Sequence, residues 1–112
     1  MLVAISISPS GSPHDAAASE ADGGVSAAVA AAVGVIRASG LPCETNAMFT
    51  NIEGEWDEVM AVVKQAVDVV AASSPRVGLV LKADIRPGYD GQLRAKVERI
   101  EQALAEEAGR AQ

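Results

Sequence analysis

Aromatic side chains are scarce in this chain: Trp56, Tyr89 and Phe49 make up 3% of its 112 residues. The core must therefore come from Val, Ile, Leu and Ala, and stacking platforms for nucleic-acid bases are almost lacking. Cysteine is represented once, by Cys43, which excludes an internal disulfide and suits a reducing compartment. With a single histidine, His14, there is no Cys/His set from which to assemble zinc ligands. Basic residues are outnumbered by acidic ones, for a net charge of −6. No basic stripe is present to attract nucleic acid, and no polybasic segment to hold an anionic membrane. The longest uncharged stretch, Gly23 to Ile36, falls short of the ~20 residues a membrane span needs. The opening Leu2-Val3-Ala4-Ile5-Ser6-Ile7 has neither a basic leader nor a cleavage site, so a cytoplasmic location is expected.

What is present is apolar residues, at 49%, in a length that suits one domain over 1–112. Val3, Ile5 and Ile7 alternate with Ala4, Ser6 and Ser8, the period of a strand with one buried face; Pro9 is expected to end it. The Ser10–Asp15 segment reads as a loop. An Ala-rich helix is expected from Val25 to Ser39, started near Ser19 or Asp22 and stopped at Gly40. Glu44 to Glu53 should hold two short strands that turn near Met48-Phe49. After Gly54, acids at Glu55, Asp57 and Glu58 favour the positive end of a second helix. Trp56, Val59, Met60, Val63, Val67 and Val70 are its expected core stripe, to about Ala72. Val77 to Arg86 reads as a further strand. Leu93, Val97, Ile100 and Leu104 mark a last amphipathic helix, expected to fray after Glu106.

The order strand, helix, strand, strand, helix, strand, helix predicts an α+β fold: a ferredoxin-like βαββαβ antiparallel sheet with helices on one face, plus a C-terminal helix. Alternation then divides the sheet. Leu79, Leu81, Ala83 and Ile85 should face the helices, which turns Lys82, Asp84 and Arg86 to the other side, on a strand placed at or near the centre. Ser6, Ser8, Glu44, Asn46, Met48, Asn51 and Glu53 are expected to share that polar face, with Thr50 at the hairpin tip. A solvated sheet face is the plain alternative. Trp56 reads as core packing, Cys43 as a small buried hydrophobe and His14 as a loop residue. Glu53 reads either as a functional carboxylate or as an acid leading the second helix.

The segment Asn46-Ala47-Met48-Phe49-Thr50-Asn51-Ile52-Glu53-Gly54-Glu55-Trp56-Asp57-Glu58-Val59 resembles the hairpin-to-helix motif of the small thiamine-binding protein family. Leu81-Lys82-Ala83-Asp84-Ile85-Arg86 is similar to that family's Lys-x-Asp-x-Arg strand, and Val35 to Pro42 and Ser8-Pro9 are similar as well. The likeness runs to about Ile100. Family members commonly carry a small residue where Phe49 stands and Pro where Ala47 stands.

The resemblance implies a ferredoxin-like domain that assembles into homodimers or homotetramers and binds thiamine or its hydroxymethylpyrimidine half as ligand, with no other cofactor. Thr50, Glu53, Lys82, Asp84 and Arg86 are the polar residues matched position by position. An aminopyrimidine presents ring acceptors and an amino donor, which a carboxylate such as Glu53 can engage. Thr50, Asn46 or Ser6 can complete the hydrogen bonds, and Met48 or Phe49 can form a flat apolar wall. The expected ligand-binding set is thus Ser6, Ser8, Asn46, Met48, Phe49, Thr50, Glu53, Lys82, Asp84 and Arg86, with no catalytic or metal-binding residue. Two other functions stay open: an enzyme using Glu53 or Asp84 as general base beside Lys82, and a structural or regulatory oligomer that binds no thiamine.

Overall fold

The computed structural model describes residues 1–10 and 21–110. Four strands form one antiparallel sheet: β1 (Leu2–Ser10), β2 (Cys43–Thr45), β3 (Thr50–Glu53) and β4 (Arg76–Asp84), in the order β2-β3-β1-β4. Helices α1 (Ala21–Ala38) and α2 (Trp56–Ala71) lie side by side against one face, and α3 (Gln92–Arg110) follows β4. This is the expected βαββαβ arrangement with a C-terminal helix.

Register fixes the faces. Val3 is opposite Ile52 and Ala83, and Ile5 is opposite Thr50 and Leu81. Val3, Ile5 and Ile52 are fully buried beneath the helices, together with Ala32 and Ile36 of α1 and Val59, Val63, Ala66 and Val70 of α2. These short branched side chains do the work that aromatics do in other cores, each burial contributing roughly 1.5–3 kcal/mol. Helix α1 stops at Gly40, whose φ of 79° is the left-handed conformation glycine adopts without a Cβ clash. Helix α2 starts with the backbone N–H of Glu55 donating to Glu58 Oε1 at 3.2 Å, the return half of a capping box.

Several expectations require correction. β4 is an edge strand, so Lys82 and Asp84 lie on the rim of the sheet rather than near its centre. It ends at Asp84, which leaves Ile85 half exposed and Arg86 in the following loop. Pro9 does not stop β1: it pairs with Val77, and because β3 accompanies β1 only as far as Ile5, the missing N–H faces no neighbouring strand. Trp56 is 54% exposed rather than core, because it is the first residue of α2 and the buried stripe begins one turn later at Val59. Cys43 is half-buried against the core. Asp22 lies inside α1 rather than before it, and α3 continues to Arg110 rather than fraying after Glu106. Ser19 and His14 lie outside the described residues.

No helix among the described residues is long and apolar enough to cross a membrane.

Candidate functional site

The expected site residues fall into two groups at opposite ends of β3. The first surrounds a cavity of about 110 Å³ between α1 and the β2–β3 connection. Asn46, Met48, Phe49 and Thr50 line it, Ser6 borders it from β1 although its register opposite Val80 turns its side chain to the outer face, and Val29 and Val33 of α1 form the opposite wall. The cavity therefore opens on the helix side of the sheet, not on the polar face where alternation alone placed the site. Thr50 is the reason. It is opposite Ile5 and Thr45 and so shares the buried face, with only 7% of its surface exposed.

Local chemistry shapes this rim. Asn46 Oδ1 accepts the backbone N–H groups of Met48 and Phe49, both at 2.9 Å, and the Asn46 N–H donates to the Phe49 carbonyl at 2.9 Å. A single side chain thus folds the four-residue connection, a recognised role of asparagine in turns. With its oxygen held this way, the Asn46 amide keeps its NH2 group as the donor. Thr50 Oγ1 lies 3.2 Å from Thr45 Oγ1, a hydroxyl pair in which either atom can donate. Thr45 belongs to this site, yet it was missed in the sequence; its phase with Cys43 on the buried face of β2 was the available signal. Phe49 is half-buried, whereas Met48 stands 73% exposed at the tip.

The second group lies at the other end of β3. Leu2 is opposite both Glu53 and Asp84, so the two carboxylates flank it on the same sheet face. Glu53, Asp84 and Arg86 do gather there, around a space of only about 10 Å³ that also touches Tyr89 and Gln92. The start of α3 fills the remainder. Glu53 Oε2 accepts the Gln92 N–H at 2.8 Å and Oε1 accepts the Leu93 N–H at 3.2 Å, with the residue 8% exposed. A carboxylate against the first amides of a helix satisfies two otherwise unpaired donors and its positive dipole end. Glu53 is thus an anchor for α3, with each oxygen holding one of its first amides.

Asp84 is paired with Lys96 of α3. The hydrogen bond and the charge of Lys96 hold the Asp84 carboxyl below its ordinary range, assisted by the nearby charges of Arg86 and Lys82. Arg86 lies over the Tyr89 ring, 3.6 Å from its centroid. Lys82, opposite Ala4, and Ser8, opposite Gly78, are exposed on the outer face and belong to neither group.

The sheet order, the paired helices and the trailing α3 define the ferredoxin-like α+β class. Within that class the chain belongs to the thiamine-binding protein family, whose model matches residues 3–101. A Mycobacterium bovis relative, UPF0045 protein Mb1933, is 47% identical over 105 residues, covering 93% of this chain and 94% of its own. The crystal structure of the hypothetical protein MJ1052 of Methanocaldococcus jannaschii superposes with a TM-score of 0.73 at 31% identity, covering 89% of this chain and 94% of that one. A Thermotoga maritima protein whose name points to thiamine biosynthesis or salvage, TM0486, matches with a TM-score of 0.67 over 87% of this chain and 96% of its own; at 22% identity that likeness shows the fold alone.

Proposed function

We propose that this protein binds thiamine or its hydroxymethylpyrimidine half without turning it over, and that the pyrimidine ring enters the cavity between α1 and the β2–β3 connection. The observation that supports this most directly is the gathering of Asn46, Met48, Phe49 and Thr50 around one cavity in a member of the thiamine-binding family. Its volume of about 110 Å³ is of the order of the ~150 Å³ that encloses a single benzene ring. One ring fits inside, and the thiazolium half of thiamine extends from the mouth. The Thr45–Thr50 hydroxyl pair and the Asn46 NH2 group offer both acceptor and donor to an aminopyrimidine, against an apolar wall of Val29, Val33 and Phe49.

A role without catalysis fits the carboxylates. Glu53 is occupied by the α3 amides and Asp84 by Lys96, so neither stands free as a general base. Salvage, transport or buffering of the vitamin are roles that need only binding.

Self-association into dimers or tetramers belongs to the same proposal. Beyond Lys96 every described residue of α3 is exposed, and Val97, Ile100 and Leu104 present an apolar stripe at 54%, 61% and 60% exposure. Val80 adds to the uncovered apolar surface on the outer face of β4.

Calorimetric titration with thiamine and with hydroxymethylpyrimidine tests the ligand. Saturable binding of both is expected, with the isolated pyrimidine retaining most of the affinity; no heat from either would overturn the proposal.

A further inference from the structure

A larger cavity, about 510 Å³, opens at the Glu53 end of β3, between the α1–β2 loop, the start of α2 and the start of α3. It is separate from the ring-sized cavity, sharing no lining residue with it. Leu41, Pro42 and Leu93 give it apolar walls. Glu55, Glu58 and Asp90 add carboxylates, and Glu53 borders it as well. Arg94 and the Met1 ammonium, which donates to the Gly54 carbonyl at 2.9 Å, are the positive groups among the lining residues, and the carboxylates still outnumber them.

We propose that this cavity is a second binding site, for an organic cation: a substituted ammonium group carried on an apolar body. The volume lies within the roughly 300–1,000 Å³ of small-molecule sites, and apolar walls with a few charged groups are their usual composition. Charge sets the class of ligand. An anion would meet a majority of carboxylates, whereas a cation balances them while its hydrocarbon part covers Leu41, Pro42 and Leu93.

Two of the acids are held in place before any ligand arrives. Glu58 Oε1 accepts the Glu55 N–H at 3.2 Å, and Glu53 is fixed by the Gln92 and Leu93 amides. Pre-set charges need less ordering on binding than free ones. Gly54 keeps this wall close: a Cβ there would lie 3.1 Å from Val59 Cγ2 and 3.3 Å from Leu41 Cδ2. The net charge of −6 adds a long-range pull on cations.

Benzyltrimethylammonium is the probe, followed in two-dimensional amide NMR spectra of the full chain, with benzyl alcohol as neutral and benzoate as anionic control. Saturable shifts are expected at Gly54, Gly91, Leu93 and Arg94 and not at Met48 or Thr50, with benzyl alcohol at least tenfold weaker and benzoate silent. The double variant Glu58→Gln, Asp90→Asn should weaken the ammonium probe at least tenfold. Glutamine at 58 keeps the acceptor for the Glu55 N–H, and the spectrum itself reports whether the fold survives. Absent shifts, shifts centred on the β2–β3 connection, equal binding of benzyl alcohol, or a folded double variant with unchanged affinity would each overturn the proposal.

Discussion

Glu53, the last residue of β3, holds Gln92, the first residue of α3, through a 2.8 Å hydrogen bond from the Gln92 amide to its carboxylate, across 39 residues of sequence. Its other oxygen takes the next amide, Leu93. No acid lies in the first turn of α3 itself, so the strand supplies the charge that the helix start lacks. Helix α3 thereby becomes the cover for one end of the outer sheet face. Glu53→Gln should cost about 2–4 kcal/mol, since an amide NH2 replaces one of the two acceptor oxygens in a buried place. Urea unfolding measures the loss, and amide exchange at Gln92 and Leu93 should accelerate with it. Unchanged protection at both amides would contradict the clasp.

The second clasp, Asp84 with Lys96, is exposed and sensitive to acid. The folded carboxyl titrates below its ordinary value, so its contribution is fully present above the unfolded value of about 3.9 and is lost as pH falls through the lower folded one. The difference in urea midpoint between wild type and Asp84→Asn should be constant from neutral pH down to about 4 and vanish below that. A carbon-detected titration of Asp84 should place its midpoint under the ordinary aspartate value. A midpoint above that value would refute the pairing.

Gly54 is needed for space. The fully buried, β-branched Val59 cannot swing away from an added methyl group, and Leu41 closes the other side. Gly54→Ala should destabilise by roughly 1–3 kcal/mol, as overpacking does. Thermal unfolding of the variant decides it, and an unchanged or raised Tm would show that the loop yields.

In the proposed assembly the exposed stripe of α3 is the contact surface. Ile100→Glu places a charge in its middle and should convert an oligomer to monomer without loss of helical circular dichroism. Sedimentation of both proteins gives the answer: a wild type already at 11.4 kDa would remove the basis for association.

Much of this architecture was legible because strand alternation is strict. Val3 and Ile5 on β1 read as buried from period alone and are. Of Leu79, Leu81, Ala83 and Ile85, expected on the same side, Leu81 is half-buried while the other three are exposed, because β4 is an edge strand. The side chain of Glu53 also pointed where alternation put it. What covers it was not legible, because its partners lie 39 and 40 residues away and no local pattern records them. The edge position of β4 was hidden for the same reason: strand order is set by long-range pairing, and Lys82 with Asp84 was in fact the kind of charge that edges carry. Thr50 was named, but its face was not, since the connection from Asn46 to Phe49 had to be seen before the phase of β3 could be set against that of β2.

The central claim is that the pyrimidine ring occupies the cavity beside Thr50 and not the carboxylate end of β3. Calorimetric titration of hydroxymethylpyrimidine into Thr50→Val and Glu53→Gln, side by side with wild type, tests it most directly. Thr50→Val keeps the shape and removes a hydroxyl, so affinity should drop about tenfold, whereas Glu53→Gln should bind as wild type at a temperature where it is folded. Full affinity in Thr50→Val together with lost affinity in a folded Glu53→Gln would contradict the account.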